Sequence, residues 1–411
     1  MAVLKAFRAI RPKSEYAEKV GALPYDVMNS DEAREMVKGN PYSFLHIDKA
    51  EIDLPLGTDI YSDEVYKKAK ENLDALSEKG ICIEEEKPML YIYRQIMNGR
   101  EQTGIVGCTA VDDYINNVIK KHEFTRADKE ADRIRHVDTC NANTGPIFLT
   151  YRDSEAVNEI VENWKSAHAP VYDFVSGDNV TQTVWVIDDD ETIARLENEF
   201  QKIPCLYIAD GHHRAASAVN VGKKRREALG EGGEYDRFLS VVFPCNQLKI
   251  MDYNRVIADL NGMSESEFLD KISEKFTVEP APQSPFSPES RHSFGMYLGG
   301  KWYCLTAKPQ FIDEGDPVAR LDASILQNNL IAPVLGIDDP RTDKRIDFVG
   351  GIRGLGELEK RVSEGMKLAF AMYPTSLEEL MDIADAGKVM PPKSTWFEPK
   401  LLSGLFIHKL S

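Results

Sequence analysis

Three observations predict a mixed α/β fold, α+β in its pairing pattern, for this chain of 411 residues. Short β-branched and aromatic runs alternate with charged, helix-like stretches along most of its length. Asn98-Gly99 and Gly299-Gly300 each sit between strand-like runs, and Asn-Gly supplies the positive φ angles that a tight hairpin needs. These interleaved hairpins argue against a purely parallel, doubly wound sheet.

The elements follow in order. Val3 to Ile10 reads as a strand closed by Arg11-Pro12. Leu23 to Val27 is turn-like and precedes an acidic helix beginning near Ser30. Ser43 to Ile47 reads as a second short strand. A polar helix is predicted from Asp63 to Lys79, then a hairpin of Met89 to Ile96 and Gly104 to Ala110. A helix from Asp112 to Lys121 runs into a charged stretch, His122 to Arg126, and a second, Asp132 to His136. Pro146 to Tyr151 is a strand. Val171 to Val175 and Thr181 to Ile187 form a hairpin around Gly177-Asp178-Asn179. Asp188 to Glu191 gives acidic N-cap chemistry to a helix ending near Ile203. Cys205 to Ala209 is a short apolar strand, broken by Asp210 to His213 before a helix that starts at Arg214. Phe238 to Phe243 is the next strand. Ser293 to Leu298 and Lys301 to Ala307 make a hairpin, and helical patterns with glycine-rich turns lead to Pro391-Pro392.

The proline-rich run Pro280 to Pro288 is a natural boundary or long loop. The expected organisation is an α/β region over 1–275 and a C-terminal α+β region over 276–411 packed on it.

Bulk properties narrow the function. Hydrophobic residues make up 42% of the chain, enough for a sizeable core. No apolar run is long enough to span a bilayer. Met1 to Arg8 meets charge too early for a secretory signal, so a cytoplasmic protein with no membrane partner is expected. The six cysteines are scattered, with no Cys-x-x-Cys pair, and no metal site is predicted from them. A formal net charge of −17 disfavours nucleic acid as a partner, because the phosphate backbone rewards positive charge.

Asp210-Gly211-His212-His213-Arg214, at a strand-to-helix junction, is the central motif. Gly211 lets the backbone turn sharply and approach a ligand. The helix start directs free N–H groups and partial positive charge to the same place, which favours phosphate. Arg214 offers a fork for two phosphate oxygens. His213 is able to donate a hydrogen bond or a proton. Asp210 is a candidate base for a hydroxyl, or a partner for a phosphate-bound metal ion. The alternative is structural: Asp210 caps the helix while Arg214 and the histidines form surface pairs. The candidate assignment is Asp210 and His213 as catalytic residues, with Gly211, His212 and Arg214 as the phosphate cradle.

Gly211-x-His213-Arg214 followed by Ala216 and Ala218 resembles the Gly-x-(His/Arg)-Arg-x-x-Ala box of the ParB/sulfiredoxin superfamily, although the two alanines flank the expected place. The resemblance implies a ParB/sulfiredoxin-like core with a mixed sheet, joined by additional α+β regions, and nucleotide phosphates bound at the loop and helix start. The Asp-Gly-x-His-Arg form is most similar to the free-serine kinase branch. By that resemblance Asp210 acts on the serine hydroxyl, while His213 and Arg214 hold phosphate. Over its whole length the chain also resembles the family labelled domain of unknown function 1015. Phe7 to Pro12, Pro24 to Val27, His122 to Thr125, Asp210 to Arg214, Pro392 to Thr395 and Pro399-Lys400 carry that likeness. Two departures matter. His212 stands where a sulfiredoxin has its nucleophilic cysteine, which argues against sulfinic acid reduction. There is no helix-turn-helix of the kind a ParB protein adds.

Secondary candidates lie elsewhere. His122, Glu123 and Arg133 could form a second phosphate or carboxylate clamp, or belong to a solvated helical face. Lys393 and Thr395 could be delivered by the C-terminal segment, although the glycines of a P-loop are absent before Lys393. Asp26 could be an acidic partner supplied near the N-terminus, or a turn former. Arg255 reads as an anion contact or a surface residue. The expected activity is phosphoryl transfer on a small hydroxyl metabolite, serine or phosphoserine, with Mg²⁺ and a nucleotide (ADP or ATP) or pyrophosphate. The alternative is a non-catalytic regulator that binds a nucleotide or a small phosphorylated metabolite.

Overall fold

Val157, Ile160, Val161 and Trp164 recur at helical spacing, and the helix Glu155–Ala167 buries all four. Ile193, Leu196 and Phe200 do the same on Asp190–Phe200, whose N-cap Asp189 accepts from the backbone N–H of Thr192. These faces join one core cluster with Leu90, Ile105, Leu149, Leu206, Ile208 and Val219. Fully burying such a side chain contributes about 1.5–3 kcal/mol relative to leaving it exposed.

The computed structural model describes residues 1–411. The chain forms two compact units, Met1–Leu248 with Pro399–Ser411, and Lys249–Glu398. In the first unit the main sheet has nine strands. Eight run side by side: Ile119–Lys120, Leu206–Asp210, Ile147–Tyr151, Arg237–Pro244, Arg100–Ala110, Leu90–Met97, Thr181–Ile187 and Tyr172–Val175. Leu4–Lys5 adds to Arg100–Ala110. Two of the pairings are parallel, Leu206–Asp210 on Ile119–Lys120 and Arg237–Pro244 on Ile147–Tyr151. The sheet is thus mixed, and the fold is α/β with α+β pairing, as the hairpins predict.

A four-stranded sheet of Cys82–Glu84, Ala9–Pro12, Ile407–Lys409 and Ala142–Asn143 completes the first unit. The second unit is built on an antiparallel six-stranded sheet that runs from Phe276–Pro280 to Ile346–Gly350. One core cluster there joins Phe268 and Ile272 to Ile325, Leu326 and Leu330, and another centres on Leu358.

Several elements differ from expectation. The segment Ser43 to Ile47 is helical at Leu45–Asp48 rather than a strand. Five apolar-rich residues carry too little periodicity to separate the two states. The helix after Asp112 covers only Val111–Ile115, because Asn117 takes a left-handed φ of 57° and the chain then joins the sheet at Ile119. The first predicted strand is two, Leu4–Lys5 and Ala9–Pro12, since the chain leaves the main sheet for the small one between them. The proline-rich run lies between Phe276–Pro280 and Ser293–Leu298, two strands of one sheet, so the units divide at Leu248 and not after residue 275. No helix is long and apolar enough to cross a membrane.

Candidate functional site

The strand Leu206–Asp210 ends at the central motif, and the helix His212–Leu229 begins two residues earlier than expected, because Gly211 itself is the N-cap. Gly211 sits at φ 92°, a left-handed conformation that disfavours any residue with a Cβ. A Cβ there would also lie 3.2 Å from Nε of Arg214, so the glycine makes room for the guanidinium that folds back over it.

Asp210 is the electrostatic centre of the turn. Its Oδ2 accepts from Nζ of Lys400 at 2.9 Å, and Nη2 of Arg214 lies 3.9 Å from Oδ1. Burial alone would raise the Asp210 pKa, but Lys400 and Arg214 hold the carboxyl far below the usual carboxylate range. Lys400 is positioned from behind: its carbonyl accepts from the Gln95 side chain at 2.8 Å. Gln95 belongs to a buried amide network in which Gln102 donates to Gln95, and Gln95 and Tyr93 both donate to Gln182.

Arg214 donates through Nη1 to the Pro146 carbonyl at 2.7 Å, while its Nε is buried without a hydrogen-bond partner. Burial works against its charge, yet Asp26, Asp210, Tyr25 and Asp48 together raise its pKa. Arg133 stands on the neighbouring helix Ala127–Cys140. The small residues Ala215, Ala216, Ser217 and Ala218 are buried on the helix that carries Arg214. Ser217 Oγ donates to the Glu130 carbonyl at 3.3 Å, and Asn220 donates to Oε1 of Glu130 at 2.7 Å, joining the two helices. Arg133 donates to Asp132 at 2.9 Å and lies over the Tyr25 ring, 4.1 Å from its centroid. Arg133 and Arg214 line one cavity of about 20 Å³ together with Tyr25, Asp48, Thr144 and Gly145.

The histidines divide by environment. His213 is half-buried, and its Nε2 accepts from the backbone N–H of Arg126 at 3.1 Å, which leaves Nδ1 to carry the proton of the neutral ring. His212 is buried, meets His122 edge-on at 4.5 Å between ring centroids, and has Nδ1 3.8 Å from Oε2 of Glu123. Burial pushes the His122 pKa down to about 4 and that of His212 well below its ordinary value, so both are neutral at pH 7. His212 is thus neutral in the turn, and its Nε2 is buried without a hydrogen-bond partner. Both pKa values are depressed by folding. The unfolded chain thus binds protons below about 6.5 that the native state refuses, and stability falls as pH drops from there toward 4. Each histidine is expected to contribute a slope of up to about 1.4 kcal/mol per pH unit in that window. His122→Phe should flatten the pH dependence of thermal unfolding between pH 6.5 and 4. An unchanged slope would show that His122 is not the neutral buried group described.

The structure thus gathers Asp210, Gly211, His212, His213, Arg214, His122 and Glu123 at one turn and gives Arg133 a cavity in common with Arg214. Asp26 is exposed and acts electrostatically on both His213 and Arg214. Lys393 and Thr395 belong to the second unit, where Nζ of Lys393 lies 5.7 Å from the Tyr253 ring centroid. The cation that reaches Asp210 is Lys400, which sequence reasoning missed as a site residue. Tyr25 and Asp48 were missed as well. Pro24 to Val27 and Pro399-Lys400 stood among the family-like segments, so two of the three had a signal. Asp48 had none. No group of three or more His, Cys, Asp or Glu side chains is arranged to hold a metal ion. A phosphate-bound Mg²⁺ needs only one or two carboxylates, and Asp26 is the exposed one near Arg214.

A family model described as "Protein of unknown function (DUF1015)" matches residues 4–324. No curated protein matches the chain. Among solved structures, a free serine kinase in complex with AMP is 15% identical with a TM-score of 0.37, over 74% of this chain and 91% of that one. A conserved hypothetical protein from Pyrococcus furiosus is 14% identical with a TM-score of 0.35, over 74% and 95%. SbnI with a C-terminal truncation, from Staphylococcus aureus, is 12% identical with a TM-score of 0.36, over 72% and 85%.

Proposed function

The chain belongs to the DUF1015 family, and we propose that it is a phosphoryl-transfer enzyme acting on a small hydroxyl metabolite, free serine or phosphoserine. The observation that carries this reading is Asp210, kept ionised by Lys400 and Arg214 at a glycine turn where a helix begins. The string Asp210-Gly211-x-His213-Arg214 supports serine through its likeness to the free-serine kinase branch of a ParB/sulfiredoxin-like core.

In this proposal Arg214, Arg133 and the N–H groups at the start of the His212 helix hold the transferred phosphoryl group. They stabilise charge on its equatorial oxygens. Asp210 orients the serine hydroxyl and accepts its proton late, as the new O–P bond forms and the bond to the donor oxygen breaks. A carboxylate with so low a pKa is a weak base, which suits a loose transition state in which positioning dominates. The donor is a nucleotide or pyrophosphate; Asp26 is the carboxylate that would hold a Mg²⁺ ion carried by its phosphates, and the ion would neutralise their charge. The cavity shared by the two arginines has room for about one water, so it has to widen to take a phosphate.

Incubating the protein with phosphoserine and Mg²⁺, with and without ADP, AMP or orthophosphate, and following serine, inorganic phosphate and the phosphorylated acceptor tests this directly. Serine released only with ADP, AMP or orthophosphate, with the acceptor phosphorylated in step, identifies a kinase that uses ATP, ADP or pyrophosphate, working in reverse. Serine and inorganic phosphate without an acceptor identify a phosphatase. No turnover of phosphoserine, or of serine plus ATP, removes serine as the substrate.

A further inference from the structure

The second unit holds a cavity of about 300 Å³, at the lower end of small-ligand pockets. Arg255 lines it from the strand Tyr253–Ile257, opposite Phe348 on Ile346–Gly350. The residue is 5% exposed and has no carboxylate at ion-pairing distance. Its guanidinium donates to the backbone carbonyls of Tyr253 and Lys393 and faces the Phe348 ring, 5.6 Å from the centroid. Burial without a counter-ion lowers its pKa to about 10. Of the two acidic groups that act on it, Tyr253 and Asp322, the carboxyl of Asp322 is itself pushed by burial up to about 7 and accepts from the backbone N–H of His292 at 2.8 Å. A buried guanidinium with five donors and two carbonyl partners is an unfinished arrangement.

The other charges on the lining specify what would complete it. Arg341 and Asp339 satisfy each other through two hydrogen bonds of 2.9 Å. That leaves Arg255 in the interior and Asp338, exposed and without an ion pair, as the lining charges without a partner. One free cation and one free anion fit a ligand that carries both charges. A phosphate dianion would meet a single guanidinium and be repelled by Asp338. Ala323, Phe348 and Pro391 supply apolar wall for a side chain.

We propose that this cavity binds a free α-amino acid, its carboxylate on Arg255 and its ammonium on Asp338. The site lies wholly within the second unit and is separate from the Asp210 turn.

Isothermal titration of the full chain with a panel of L-amino acids (alanine, serine, valine, leucine, methionine and proline) tests this, with 4-methylpentanoate and inorganic phosphate as further titrants. At least one amino acid is expected to bind, and phosphate not to bind at this cavity. Arg255→Gln should weaken that binding by about tenfold or more. Asp338→Asn should weaken an amino acid by several-fold and leave 4-methylpentanoate unchanged, since that acid lacks the ammonium. Asp338 is exposed, so this variant stays decisive even if Arg255→Gln fails to fold. Asp210→Asn should leave amino acid binding at this cavity unchanged, which separates failure here from failure of the serine reading. Absence of binding across the panel, Asp338→Asn indistinguishable from the parent chain, or phosphate competing with the amino acid would each overturn the assignment.

Discussion

Asp210→Asn is expected to lower turnover of phosphoserine or serine by about 10²–10⁴-fold, the range over which a positioned proton acceptor acts. Affinity for the phosphorylated ligand should hold or rise, because a negative charge leaves the cradle. The substitution also leaves Lys400 without its carboxylate, at a stability cost of about 1–3 kcal/mol. Folding depresses the Asp210 pKa, so this contribution is complete above the unfolded value of about 3.9 and disappears as acid protonates the folded carboxyl. Stability and catalysis separate in the double variant Asp210→Asn/Lys400→Met. It should regain part of the lost stability, read from urea midpoints, and none of the activity. Turnover within about threefold of the parent chain in Asp210→Asn would mean that Asp210 is a structural cap and that the proton acceptor lies elsewhere.

Arg214→Lys is expected to lower kcat/KM by about 10²–10³-fold although the charge is kept, comparable to losing one preorganised transition-state donor. Arg214 spans the Pro146 carbonyl and the Asp210 carboxylate with different nitrogens of one planar group, and a lysine ammonium has no such fork. The buried Nε of Arg214 is a donor still without an acceptor, and it is the atom most directly lost. Kinetics on the variant, with phosphate-ligand affinity measured in parallel, gives the comparison. If Arg214→Lys matches the parent chain in both, Arg214 is a brace for the turn and the transferred group lies elsewhere.

The parts of the fold that were legible in the sequence are those with local causes. Asn98-Gly99 fixes its hairpin because few dipeptides adopt that turn. The helices Asp63–Glu78 and Asp190–Phe200 follow from long amphipathic patterns. The central turn was legible for the same reason, since Gly211 and its neighbours are contiguous and Gly211 takes the positive φ expected of it. What failed depended on distant partners. Val3 to Ile10 reads as one strand, and only the existence of a second sheet, finished by Ile407–Lys409, divides it. The burial of His212 against His122 has no trace in the sequence, because the two residues are ninety positions apart. Lys400 stood in a family-like segment, but its pairing with Asp210 is legible only once Gln95 and Asp210 are seen on either side.

The return of Pro399–Ser411 to the first unit has a consequence for how the protein is made. During translation Asp210 emerges well before Lys400, which follows 190 residues later, after the entire second unit. Until then the nascent first unit carries its glycine turn without the cation that neutralises it. The edge of Ala9–Pro12 is also open where Ile407–Lys409 will pair, and such an edge invites chaperone capture or misassociation. A ribosome stalled inside the second unit would release a chain with the motif present and the electrostatic centre incomplete. Assembly of the Asp210–Lys400 pair therefore marks that synthesis has passed residue 400, which makes completion of the site a late event.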